Sequence, residues 1–183
     1  DVVYLRGSQE EMWEKLLQLQ FAVDPRNVLD WILGQGVAET IRAYGCDPDQ
    51  GRIVAREGAM AIGRWTNALR QAMAARPGHR QLMSALRRAA YTDDNGLLFV
   101  HAGLDPKRPL EKQGDALWWG HPGWGSVAPY QDYRRVVRGF GRASGTLDPA
   151  QYALSIDGGC GFGGKLTAVC LAASGETLEQ LDA

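Results

Sequence analysis

Apolar residues recur with a helical period through the first half of this 183-residue chain and gather into short continuous runs in the second. Val2-Val3-Tyr4-Leu5 predicts an opening strand. Ser8 followed by Glu11 is an S-x-x-E capping box, and it predicts a helix with Met12, Trp13, Leu16 and Leu17 on its buried face. A second helix is expected from Asp24-Pro25, carrying Val28, Leu29, Trp31 and Ile32 past Gly34 and Gly36 toward Ile41 and Tyr44, with Gly45 as its stop. Residues 52–75, with Trp65, Leu69 and Met73, and residues 79–90, with Leu82, Met83 and Leu86, predict two more helices on either side of Pro77-Gly78. From Gly96 the rhythm changes. Leu97-Leu98-Phe99-Val100, between Asp94-Asn95-Gly96 and Asp105-Pro106, reads as a buried strand, and further strands are expected at 133–137, 152–156 and 165–172.

Glycine sharpens this division, because 12 of the 23 fall between residues 120 and 183, where turns and strands should therefore outweigh long helices. Twenty Lys and Arg against 21 Asp and Glu give a formal charge of -1, which removes the electrostatic basis for a nucleic-acid or membrane-surface binder. No apolar run approaches the roughly 20 residues of a spanning helix. Cys46, Cys160 and Cys170 are odd in number and lack a CxxC spacing, so neither a disulfide framework nor a zinc knuckle is expected and a reducing cytoplasmic setting is. Strand-like residues follow Asp1 directly, so an upstream segment is expected to have been removed or left out.

Three strand ends carry the residues of chemical interest, and ligands of open α/β sheets collect beyond such ends. Leu5-Arg6-Gly7-Ser8-Gln9-Glu10 turns from strand to helix, which a plain connection also explains. Phe99-Val100-His101-Ala102-Gly103-Leu104 brings a histidine out of a buried strand, as a structural residue or a ligand. Ile156 to Thr167 is glycine-rich, but it lacks the G-x-x-x-x-G-K-[ST] spacing and leads into a strand, which argues against a nucleotide P-loop.

In order, these segments resemble the calcineurin-like metallophosphoesterases, the bacterial phosphatases related to Ser/Thr protein phosphatases and diadenosine tetraphosphatase. Val2 to Glu11 is similar to that family's strand ending in G-N-H-E, and Phe99-Val100-His101-Ala102-Gly103 to its F-V-H-A-G. Asp115-Ala116-Leu117-Trp118-Trp119 with Pro122 resembles L-L-W-I-R-E-P, and Val136-Val137-Arg138-Gly139-Phe140-Gly141 stands where V-V-x-G-H-T belongs. Ile156-Asp157-Gly158-Gly159 through Gly164-Lys165-Leu166-Thr167-Ala168 is similar to I-D-T-G...G-G-x-L-T-A. The resemblance covers essentially the whole chain. It implies an α/β fold, a metallophosphoesterase-type α/β/β/α sandwich of two mixed sheets, as a single domain over 1–183 with a helical insert at about 9–91.

In that family two metal ions about 3.5 to 4 Å apart polarise the phosphate and generate hydroxide. Its first two motifs, D-x-H and G-D-x-x-D-R-G, lie upstream of G-N-H-E and are not in this sequence. The resemblance gives Ser8 the place of a metal-binding Asn, Gln9 that of the histidine acid, Phe140 that of a ligating histidine and Gly120 that of a phosphate-contacting Arg. A phenyl ring has no lone pair for a cation, and an amide cannot exchange a proton near neutral pH, which forfeits a contribution of about 10² to 10⁴ in rate. Only His101 survives as a metal ligand. The expected function is therefore a catalytically inactive structural or regulatory subunit without a cofactor. The alternative is an active phosphatase of phosphoproteins, phosphomonoesters or dinucleoside polyphosphates, holding two divalent Mn, Fe or Zn ions, with His121 or Glu10 as replacement groups. A protein partner or an upstream segment is expected to pair Val2 to Leu5, so that the chain is not an isolated monomer. Trp119 and Trp124 are the candidate interface anchors.

Overall fold

The computed structural model describes residues 2–94, 96–124, 128–141 and 152–183, and residues 148–149 by their backbone. Asn95 of the expected turn lies outside them. The chain divides into two compact units, one of Ser8–Ala85 and one of Asp1–Gly7 with Leu86–Ala183. No helix among the described residues is long and apolar enough to cross a membrane.

The first unit is helical. α1 (Ser8–Leu17) buries Met12, Trp13, Leu16 and Leu17, the four positions its period predicts. α2 (Pro25–Ile32) starts at an Asp-Pro pair, with the Asp24 carboxylate accepting from the Asn27 N–H at 3.2 Å. A π turn (Leu33–Val37) joins it to α3 (Ala38–Ala43), so the expected single helix is broken at Gly36, whose φ is +96°. The same Asp-Pro start opens α4 (Pro48–Glu57), where Asp47 accepts from the Asp49 N–H at 2.9 Å. The continuous helix expected over 52–75 is two helices, α4 and α5 (Ala59–Ala74). Gly58 separates them at φ +102°, in a region that side-chain-bearing residues rarely enter. α6 (His79–Ala85) ends five residues before its expected limit. Leu16, Leu29, Ile32, Ile41, Ile62 and Leu69 form the centre of this unit's core.

The second unit holds the strands β1 (Ala89–Tyr91), β2 (Leu97–Val100), β3 (Arg135–Arg138), β4 (Asp148–Pro149) and β5 (Ala153–Ser155) in one five-stranded mixed sheet of order β1-β2-β3-β5-β4. β2, β3 and β5 run parallel, with Val100 opposite Arg138 and Arg138 opposite Ser155, while β1 and β4 are antiparallel edges. The apolar run of β2 fits a strand covered on both faces. Before it, the Asp94 carboxylate accepts from the Thr92 hydroxyl and the Gly96 N–H, and these bonds hold it below the ordinary carboxylate range. β6 (Thr167–Leu171) and β7 (Thr177–Asp182) form a separate antiparallel ribbon, so the expected second mixed sheet is not found among the described residues.

Two further expectations are corrected here. Val2 to Leu5 is not a strand. Leu5 alone bridges to Arg87, the Arg87 N–H donates to Tyr4 and the Arg6 N–H to Arg87, while Val2, Val3 and Tyr4 stay exposed. Residues 86–90 are not helical, because Arg87 is held in that bridge and Ala89–Tyr91 pairs with β2. The helical unit is therefore Ser8–Ala85 in place of about 9–91.

Gly51 of α4 sits against Trp65 of α5, and a Cβ there would lie 2.6 Å from the indole. Alanine would gain about 1 kcal/mol of helix propensity but overpack a buried ring at a cost of about 1 to 3 kcal/mol. Gly51→Ala should lower the urea midpoint. An unchanged or higher midpoint would show that α4 and α5 can part at no cost.

Candidate functional site

Because β2, β3 and β5 are parallel, the chain leaves all three at one edge of the sheet, through His101, Gly139 and Ile156. The ladder continues beyond the strands, with the Gly139 N–H donating to Val100 at 3.3 Å and the Phe140 N–H to His101 at 2.8 Å. That pairing sets the two side chains next to each other. The imidazole and phenyl rings stack with centroids 5.4 Å apart and planes 2° from parallel.

The loops after β3 and β5 are tied by Asp157, whose carboxylate accepts from the Gly141 N–H at 2.8 Å and the Gly159 N–H at 2.9 Å. Arg138, the last residue of β3, ties the others. Its Nε donates to the Ser155 hydroxyl at 3.2 Å, its Nη1 reaches the Ala102 carbonyl at 3.4 Å, and its guanidinium lies 4.5 Å from the Trp124 ring centroid. Ala102 in turn donates to Leu117 of α7 (Ala116–Trp119) at 3.0 Å.

These segments enclose a cleft of about 230 Å³ lined by Ala102, Trp119, Gly120, His121, Pro122, Arg138, Phe140 and Gly141. His121 Nδ1 accepts from the Gly123 N–H at 3.1 Å, which leaves the proton of the neutral ring on Nε2, 4.0 Å from an Asp105 oxygen. A guanidinium, an imidazole and two aromatic groups thus surround one space. Such a set suits an anion or a planar group. Among the described residues no three His, Cys, Asp or Glu side chains gather as a metal ion's donor set.

The expected site residues separate as follows. His101 and Phe140 are together at the sheet edge. Ser8 and Gln9 open α1 in the helical unit, with Glu10 after them, and the Gln9 amide donates to the Gln35 carbonyl at 2.9 Å. Gly120 has φ +78°, and a Cβ there would lie 3.4 Å from the Ala102 carbonyl oxygen, so this position accommodates a backbone turn and not an arginine. Trp119 is 38% exposed and can serve as a surface anchor, but Trp124 is 5% exposed. The expectation of an exposed Trp124 is corrected, since the ring packs with Leu98, Val100 and Leu104 beneath Arg138.

The glycine-rich loop after β5 spends its amides internally. Gly164 donates to Gly159 and Lys165 to Gly158, both at 2.9 Å, and a Cβ on Gly158 would fall 2.3 Å from the Lys165 oxygen. Its glycines serve close backbone approach, and those N–H groups are not presented to a phosphate. The three cysteines are free thiols. Reading by motif passed over Arg138, although a charged residue ending a Val-Val strand before a glycine was a visible signal.

No protein-family model matches the chain, and no curated protein matches it. A structural likeness is found to a solved structure described as "a putative diadenosine tetraphosphatase", with a TM-score of 0.44 and 18% sequence identity, over 80% of this chain and 72% of that one.

Arg138→Lys should keep the charge but lose the planar stack on Trp124 and the Nε donor to Ser155. We expect a loss of about 1 to 3 kcal/mol in urea unfolding, with Trp124 emission shifted to the red. Unchanged stability and emission would mean that the guanidinium does not hold this edge.

Proposed function

We infer that the chain is a metallophosphoesterase-like protein of the α/β/β/α type that has given up catalysis and acts as a structural or regulatory subunit. The flat stacking of Phe140 on His101 carries this reading. It puts a phenyl ring beside the surviving imidazole, where the resemblance asks for a second histidine, and a phenyl ring cannot ligate. The residues at these strand ends do not fit a dinuclear centre, so no step is assigned to one. Gln9 supports the same reading, because its amide is engaged with a backbone carbonyl and has no proton to exchange near neutral pH. The partially exposed indole of Trp119, at the rim of the cleft, is the candidate anchor for a partner protein.

A second reading, an active metal-dependent phosphatase, is favoured by one observation. His121 lines the cleft with its Nε2 4.0 Å from an Asp105 oxygen, so an imidazole and a carboxylate stand close together beside that space.

Elemental analysis and turnover separate the two. The inactive reading expects no stoichiometric pair of Mn, Fe or Zn ions, and background hydrolysis of an activated aryl phosphate in excess Mn²⁺. Two ions per chain, or activity abolished by His101→Ala or His121→Ala, would establish the second reading. The triple variant Ser8→Asn, Gln9→His and Phe140→His measures how much of a site the scaffold can still support, and metal uptake by it alone is the expected result.

A further inference from the structure

Between Glu57 and Asp93 the chain carries six arginines and no aspartate or glutamate. This local imbalance is hidden by the formal charge of -1. Within the helical unit, Arg70 is spent on the Leu17 carbonyl and the Thr66 hydroxyl. Arg76 and Arg80 are not spent in this way. Both are exposed at the elbow between α5 and α6, and among the described residues neither makes an ion pair or a side-chain hydrogen bond. Together with Gln81 and Ser84 they line an open cleft of about 420 Å³.

Tyr44 shares a hydrogen bond of 2.8 Å with His79 Nδ1. Burial pushes the Tyr44 phenol up, while the charge of Arg76 pulls it down, so Arg76 acts on this corner of the unit. Several carboxylates elsewhere in the unit are already engaged, Glu11 with Lys15, Glu39 with Arg42, and Asp30 and Asp49 with Arg52. Two guanidiniums facing one space without a carboxylate repel each other, and an anion placed between them relieves the repulsion.

We propose that the α5–α6 elbow captures the phosphoryl group of a phosphoserine or phosphothreonine on a partner protein. Such a group carries close to two negative charges and three acceptor oxygens, and paired arginines with the nearby Gln81 amide supply matching donors, while the Ser84 hydroxyl donates to the Gln81 carbonyl at 2.9 Å. A polynucleotide would need a row of cations, and the elbow has two. The cleft is also wider than one tetrahedral anion, which leaves room for flanking peptide. This inference concerns the helical unit alone and does not rest on the reading of the strand-end cleft.

Four probes test it on the full chain by amide NMR: a tripeptide with phosphoserine between alanines, its serine counterpart, inorganic phosphate and oligo-dT. The expected result is saturable shifts at Gly78, Arg80 and Ser84 with the phosphopeptide and none with the serine peptide. Arg76→Gln and Arg80→Gln should each weaken binding roughly ten-fold without moving the thermal midpoint, since both side chains are exposed. Absent shifts at millimolar phosphopeptide, equal binding of the serine peptide, or unchanged affinity in both variants would overturn the proposal. Inorganic phosphate binding as tightly would reassign the elbow to a free anion, and tighter oligo-dT would reassign it to nucleic acid, and either result also overturns it.

Discussion

The guanidinium of Arg138 lies over Trp124 while its donors reach Ser155 and Ala102, so the ends of β2, β3 and β5 and the loop after α7 converge on one planar cation. A lysine ammonium could be placed over the indole but could not bridge strand and loop from the same plane. The arrangement dictates its neighbours. At Gly141 a Cβ would fall 2.5 Å from Arg138 Nη2, so the chain passes as bare backbone and gives its N–H to Asp157. A Cβ on Gly103 would lie 3.3 Å from the Gly120 Cα and 3.5 Å from the Trp124 ring, so this turn is tightly packed as backbone too. The cleft is the space left beside this cation, and its mixed charged and aromatic character follows from what holds the sheet edge together.

The same packing bears on catalysis. Ligands of a dinuclear centre must present lone pairs in an ionised or neutral-imidazole form, and such groups crowd one another when the ions are absent. A phenyl ring against an imidazole removes that conflict. Phe140 offers His101 an apolar, coplanar neighbour that needs no ion, and the backbone bond between the two residues keeps the rings in register. A strand end of this kind is stable as packing without an ion.

Where the apolar period depends only on the chain's own neighbours, it is legible in the sequence. Met12, Trp13, Leu16 and Leu17 are buried together as their spacing requires, and Leu97–Val100 is a covered strand. The failures occur where a distant segment or one backbone angle decides. Residues 52–75 keep a helical period across Gly58, so only its φ reveals the break. Leu86 continues the period of α6, yet Ala89–Tyr91 is drawn into a strand by β2, which lies later in the chain. Trp124 has the loop setting of an exposed anchor, and its burial follows from Arg138, a residue that motif comparison treats as a variable position. In sequence His101 and Phe140 stand apart as one surviving and one lost ligand position, and their mutual stacking depends on the parallel register of β2 and β3.

Net charge shows a related failure of averaging. A value of -1 is a sum over the whole chain, whereas exposed charges separated by more than a Debye length, about 8 Å at physiological salt, are largely screened from one another. Within that length only local groups count. Several carboxylates of α1 to α4 are drawn into pairs and caps close by in the fold, as with Glu11 and Lys15 or Asp47 and the start of α4. A following stretch without any carboxylate is therefore not neutralised by them, whatever the total. Arginines in such a stretch differ according to their backbone surroundings. Arg70, in mid-helix, reaches a free carbonyl at the end of α1 and becomes structural. Arg76 and Arg80, exposed at a turn and without a side-chain hydrogen bond among the described residues, keep their donors for solvent or for a ligand that brings its own negative charge.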